Sequence, residues 1–215
     1  MERCDLYFAD VRELNAPGRF ALWESRMPAY RREKIRSFRF EEGRRLSLGV
    51  GALLFLALAE RGIDYASAAY GEGEYGKPYL PEHPGIHYSL SHAGVWAVCA
   101  VSALPVGCDA EAVGRGSPAI SNRFFHPSER DALSRETDPA AWQRLFCRIW
   151  TRKESYLKAT GVGLAGGMEG FSTLAATENV HYAERTADRE TMLCCCQMGQ
   201  EVPEVRWREI HLGTV

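Results

Sequence analysis

The sequence predicts an α+β fold built from two similar halves. Twice along the chain, helical stretches rich in Arg and aromatic residues are followed by β-rich runs. Composition agrees: 215 residues, 46% hydrophobic and 25% charged, are ordinary for a globular chain that buries a sizeable core.

The elements follow in order. "CDLYFADV" opens as a strand, and "SRMPAYRREKIRSFRFEEGRRLSLGVGALLFLALAERGI" reads as helix with polar breaks, ending at Gly62. "GIHYSL" and "VWAVCAVSA" are β-rich runs joined at "SHAG", and "PVGCDAEAV" follows directly as a third strand. The second half repeats the plan. "NRFFHPSERDALSRE" and "AAWQRLFCRIWTRKESYLKATGVG" read as helices, then "FSTLAA", "VHYAERT", "TMLCCCQM" and "EVRWREIH" as β-like runs. This divides the chain into an N-terminal subdomain, 1–104, and a C-terminal subdomain, 105–215. The short connection between them predicts halves packed against each other with a cleft between.

Several classes are excluded as expectations. The longest apolar run, residues 48–59, is shorter than the ~18 residues of a membrane span. The N-terminus lacks a basic-then-apolar signal pattern, which places the protein in the cytoplasm. A formal net charge of −2 argues against nucleic acid as a partner. Seven cysteines without framework spacing read as reduced thiols, and Cys194, Cys195 and Cys196 as a strand burying small sulfur side chains rather than a metal site.

Charge is nonetheless clustered. Between Arg31 and Arg45 there are seven basic residues against three acidic, and between Arg144 and Lys158 five against one. Two cationic clusters in a slightly acidic chain suggest a compact polyanionic ligand. Asp109 and Glu111 sit two apart on a strand, so both carboxylates share one face. Trp150, Glu154 and Lys158 fall four apart on a helix and form one stripe. Hard divalent ions such as Mg²⁺ take one or two carboxylates plus substrate phosphates, and Asp109, Glu111 and Glu154 supply such a set, leaving Lys158 for phosphate. Lys77, in the Gly-Lys-Pro turn of "YGKPYL", and His92, at the hairpin end of "YSLSHAG", fit the same ligand.

The pieces "REKIRSF", "GKPYL", "YSLSHAG", "VGCDAEAV", "RFFHPSE" and "WTRKESYLKATGVGL", spanning about residues 28–164, resemble the 4′-phosphopantetheinyl transferases of the doubled, surfactin-synthetase-activating type. Departures are Ala110 between the acids, where relatives often carry a larger residue, and Ala93, where Ser or Thr is frequent. The resemblance implies an intramolecular pseudo-dimer of two α+β halves, monomeric in solution, with coenzyme A in the cleft. It implies transfer of the 4′-phosphopantetheine arm to a serine of an apo acyl or peptidyl carrier protein. Mg²⁺ would sit on Asp109, Glu111 and Glu154, with Glu154 as general base and Lys158 steadying the leaving phosphate. Lys77 and His92 would meet coenzyme A phosphates or the nucleotide, Arg31, Lys34 and Arg45 the 3′-phosphate side, with Lys153 a further cleft candidate. Exposed apolar and basic residues around "NRFFHPSE" would meet the carrier. The competing readings are a non-catalytic coenzyme A or nucleotide-binding module of the same fold and a metal-dependent nuclease or phosphatase.

Overall fold

The computed structural model describes residues 3–163 and 166–214; Leu164, the last residue of "WTRKESYLKATGVGL", lies outside them. The chain runs β1 (Arg3–Asp10), α1 (Arg19–Ser25), α2 (Ala29–Ser37), α3 (Glu41–Ala59), a short ribbon of β2 (Gly71–Glu72) and β3 (Pro78–Tyr79), then β4 (His87–Ala93) and β5 (Trp96–Ser102). It continues with β6 (Val106–Ala112), α4 (Pro118–Phe124), α5 (Pro127–Arg135), α6 (Pro139–Thr160), β7 (Val180–Thr186), β8 (Thr191–Met198) and β9 (Glu204–Glu209).

The fold is of the expected α+β class, and its two larger sheets share one order of pairing. In the first sheet β1 pairs antiparallel with β5, and β5 with β4; in the second β6 pairs antiparallel with β8, and β8 with β7. Each half therefore places its first strand beside its last, after a long helix, α3 or α6. The exception is β9. It crosses back to pair with β1 in parallel, from Arg3 against Glu204 to Phe8 against Glu209, so the first sheet runs β4-β5-β1-β9. β1 is buried on both faces, and an uncovered edge there would be a template for foreign strands. Asp5, 4% exposed, takes Arg61 and Arg206 at 2.7 Å each and helps lock β9 in place.

β1 and β5 serve two cores. Tyr7, Ala9, Cys99 and Val101 face α3, while Leu6, Phe8, Val98 and Ala100 face Val106, Cys108, Ala110, Leu193 and Cys195 of the second sheet. Continuous apolar runs in these strands follow from that double burial. Cys194, Cys195 and Cys196 lie buried in β8, and the Cys195 sulfur is 3.5 Å from that of Cys4 across the inter-sheet core.

"FSTLAA" is not a strand. Two of its backbone groups are taken by a buried ion pair: Lys153 Nζ donates to the carbonyl of Phe171, and to that of Met168 just before the stretch, at 2.6 Å each, and Glu129 Oε1 accepts from the Thr173 amide at 2.7 Å. The Thr173 amide, its one proton given to Glu129, cannot also serve a ladder. Helix α6 is bounded by its sequence. Asp138 accepts from the amides of Ala140 and Ala141, Pro139 occupies the first turn, and Gly161 ends the helix in the left-handed region at φ 73°.

β6 and α6 lie close together at Gly107. A Cβ built on Gly107 would lie 1.9 Å from the Ser155 carbonyl oxygen and 2.5 Å from the Ala159 amide nitrogen. Both obstacles are helix backbone, which cannot rotate away. Gly107→Ala should therefore reach or exceed the upper end of the ~1–3 kcal/mol usual for overpacking. Gly85→Ala, where nothing lies within 4 Å of the new Cβ, is the control. Urea denaturation of both variants measures the difference, and equal midpoints would show that the helix can move off the strand.

Candidate functional site

β6 alternates as its sequence requires. Val106, Cys108 and Ala110 enter the inter-sheet core, and Gly107, Asp109 and Glu111 therefore share the opposite face. Because Gly107 admits α6 so closely, the last turns of the helix reach the acids. Lys158 Nζ lies 2.6 Å from Asp109 Oδ1, and Ser91 Oγ of β4 donates to the same oxygen at 2.8 Å. Lys158 also donates to Ser91 Oγ at 3.1 Å. The expectation that Lys158 stays off the acids for phosphate alone is thus corrected: one helical turn beyond Glu154 it is the direct counter-charge to Asp109. Glu111 is held more loosely, by the Ala112 amide at 2.9 Å and Arg115 at 4.0 Å.

Glu154, one turn earlier on the stripe, lines the cleft. Burial, then the charge of Asp109, raises its pKa above 4.5; Lys158 pulls the other way and Glu111 adds to the rise. For Lys158 burial opposes the ammonium, but Asp109, Cys108 and Glu154 together outweigh it and the pKa is raised. Among the described residues no hydrogen bond or ion pair reaches the Glu154 side chain. No group of three or more metal-ligating side chains closes into a chelating cluster among them either. The donor chemistry still fits a hard cation, since three carboxylates act on one another here and one lacks a partner.

The opposite wall is cationic. A cleft of about 350 Å³ separates α2, α3, β4 and the β2–β3 ribbon from α6. Arg31 and Lys34 of α2 line it, and among the described residues no carboxylate pairs with either. Arg31 is 4% exposed, with its Nε 3.4 Å from the Tyr65 hydroxyl. His92, on the rim, has its imidazole pulled below 6.5 by desolvation and then by Lys158. Ser47 Oγ and Tyr88 Oη are buried without a hydrogen-bond partner, and both residues line the same cleft. Buried hydroxyls in this condition await a partner from outside the fold. Sequence reading passed over them; a lone hydroxyl inside the apolar stretch "LSLGVG" was the available signal for Ser47.

Other candidates are placed differently. Lys77 lines the cleft, but its ammonium donates to the carbonyls of Ala159 at 2.5 Å and Val106 at 3.3 Å, and burial pulls its pKa down to about 8. Arg45 is not among the lining residues and sits 3.4 Å from Glu41. Lys153 is no cleft residue: it is fully buried, 2.9 Å from an equally buried Glu129. Around "NRFFHPSE" Phe125 and Glu129 are 0% exposed and offer nothing to a carrier, while Asn122, Arg123, Pro127 and Ser128 stay exposed. Arg123 stays outside, its guanidinium 5.0 Å from the Phe124 ring centroid.

The raised Glu154 carboxyl has a pH signature. A folded-state acid pKa above the unfolded value opposes folding once pH exceeds the unfolded value, and the penalty vanishes below it. In metal-free buffer Glu154→Gln should raise the thermal midpoint at pH 7, with the gain disappearing as pH falls below about 4. A melting series across that range checks it, and a gain that persists in acid would assign the effect to packing instead.

Residues 105–204 match the family model described as the 4′-phosphopantetheinyl transferase superfamily. The chain is 38% identical over 146 residues to a 4′-phosphopantetheinyl transferase of Bacillus subtilis, covering 67% of this chain and 64% of that one. It is 34% identical over 145 residues to the 4′-phosphopantetheinyl transferase Sfp of Bacillus subtilis strain 168, covering 66% and 63%. With the 4′-phosphopantetheinyl transferase HetI of a Nostoc strain it shares 34% over 155 residues, covering 68% and 65%. The aligned part spans a little under two thirds of each relative's length. The matched region includes both the acid strand and the helix stripe laid against it, and over that region the chain is similar to the 4′-phosphopantetheinyl transferase superfamily.

Proposed function

We propose that the protein transfers the 4′-phosphopantetheine arm of coenzyme A to a serine hydroxyl of an apo acyl or peptidyl carrier protein, acting as a monomer in the cytoplasm. The observation that carries this reading is the two-walled cleft, with Glu154 and the Asp109–Lys158 pair on one side and carboxylate-free Arg31 and Lys34 on the other. A diphosphate with a further phosphate at its nucleotide end suits such a cleft. The superfamily match and the names of the relatives point the same way.

In the proposed reaction the serine oxygen attacks the phosphorus bearing the pantetheine arm. A new P–O bond forms, the diphosphate P–O bond breaks, and adenosine 3′,5′-bisphosphate leaves with the electron pair. Glu154 takes the serine proton. Its raised pKa makes it a stronger base than a solvated glutamate. Lys158 steadies charge on the leaving phosphate. Arg31, Lys34 and His92 orient the nucleotide end, where Ser47 and Tyr88 offer hydroxyls. Lys77 works mainly by fixing the end of α6, and Arg45 lies off this path. Asp109, Glu111 and Glu154 would hold Mg²⁺, which when bound supplies charge neutralisation at the diphosphate.

Incubation with coenzyme A, Mg²⁺ and an apo carrier, followed by intact mass measurement, should show the carrier gaining one phosphopantetheine. Binding of coenzyme A without any gain would leave the non-catalytic module, and phosphate-ester hydrolysis without a carrier would leave the hydrolase. Glu154→Gln should lower kcat by about 10²–10⁴-fold, the usual worth of a positioned base. Mg²⁺ should raise the thermal midpoint of the wild-type protein and not of Asp109→Ala, and excess chelator should stop turnover. Full activity in chelator would remove the metal from the scheme.

A further inference from the structure

β6 is the edge of its sheet, whose order is β6-β8-β7. Every second amide of such a strand points away from its neighbour. β4, the edge of the other sheet, lies alongside, yet among the described residues no backbone-to-backbone hydrogen bond joins the two strands. Serine side chains take the place of a ladder. The Cys108 amide donates to Ser89 Oγ at 3.0 Å and the Ala110 amide to Ser91 Oγ at 3.3 Å. Two residues apart on both strands, the pairs are in register, and both serines are buried, at 5% and 8% exposure.

The two serines differ in one respect. Ser91 Oγ accepts from the Ala110 amide and from Lys158, and donates to Asp109 Oδ1. A hydroxyl has one proton and two lone pairs, so every valence of this one is engaged. Ser89 Oγ receives the Cys108 amide and touches neither Asp109 nor Lys158. The same hydroxyl that stitches the halves together thus sets where the Asp109 carboxylate and the Lys158 ammonium stand.

We propose that Ser91 is a positioning residue for phosphopantetheine transfer, acting through Asp109 and Lys158, with Ser89 as its structural counterpart. The proposal rests on the transfer reading above. Loss of the Ser91 hydroxyl leaves the Ala110 amide without its partner and frees Asp109 and Lys158 to shift against each other. Displacements of about 1 Å in a reacting constellation lower rates by up to roughly 100-fold.

The experiment compares Ser91→Ala and Ser89→Ala, each of which removes one partner of one edge amide. Both should lower the urea midpoint, Ser91→Ala by more, because its hydroxyl also bonds Asp109 and Lys158. Ser91→Ala should in addition lower kcat by roughly 10- to 100-fold, with KM for coenzyme A changing far less, whereas Ser89→Ala should lose much less of kcat. Independently of activity, a urea cycle of Ser91→Ala, Asp109→Asn and the double variant should be non-additive, the double losing less than the sum. Equal kcat losses in the two serine variants, a loss confined to KM, or an additive cycle would each overturn the proposal. If the wild-type protein adds nothing to any carrier, the transfer reading fails by itself, and the urea cycle decides whether Ser91 orients Asp109.

Discussion

The absence of a side chain at Gly107 is the constraint on which the site depends. It lets the backbone of α6 rest on β6 at a distance that any Cβ would forbid. Lys158 thereby comes within an ion-pair distance of Asp109, and Glu154, one turn earlier, is partly desolvated and feels both strand acids. A helix displaced by the width of one methyl group would weaken all of these interactions together, because electrostatic terms between charges at contact fall off steeply once water enters.

Adjacent residues on α6 have opposite fates. Glu154 faces the cleft, while Lys153 turns into the core and meets Glu129, with main-chain carbonyls of Met168 and Phe171 and the amide and hydroxyl of Thr173 completing their hydrogen bonds. A buried ion pair is tolerable only when its remaining valences are filled in this way. Its consequence is mechanical: α5, α6 and residues 168–173 are tied at one point, on the far side of the helix from the acids. Lys77 ties the end of the same helix to the β2–β3 ribbon. The carboxylate stripe of α6 is therefore anchored from both sides.

The two walls of the cleft explain how a chain of net charge −2 presents a concentrated cationic surface. Arg31 and Lys34 come from the first half and the acids from the second, so neither half holds the constellation alone. Serines along β4 bridge the join, and because they use side-chain oxygens instead of main-chain pairing they also reach the carboxylate beside them.

Much of this was legible in the residues. Period-two alternation placed Asp109 and Glu111 on one face, helical spacing placed Glu154 and Lys158 on one stripe, and the order of helical and β-rich stretches gave the α+β class; these are local properties of the backbone, independent of what lies opposite. Partnership is not local. That β9 returns to β1, that "FSTLAA" yields two backbone groups to Lys153 and Glu129, that Lys77 spends its ammonium on carbonyls and that Lys158 answers Asp109 are all contacts between segments distant along the chain. Which of two chemically possible partners a polar group takes is decided by desolvation and by distances of a few ångströms, and those exist only once the halves have packed.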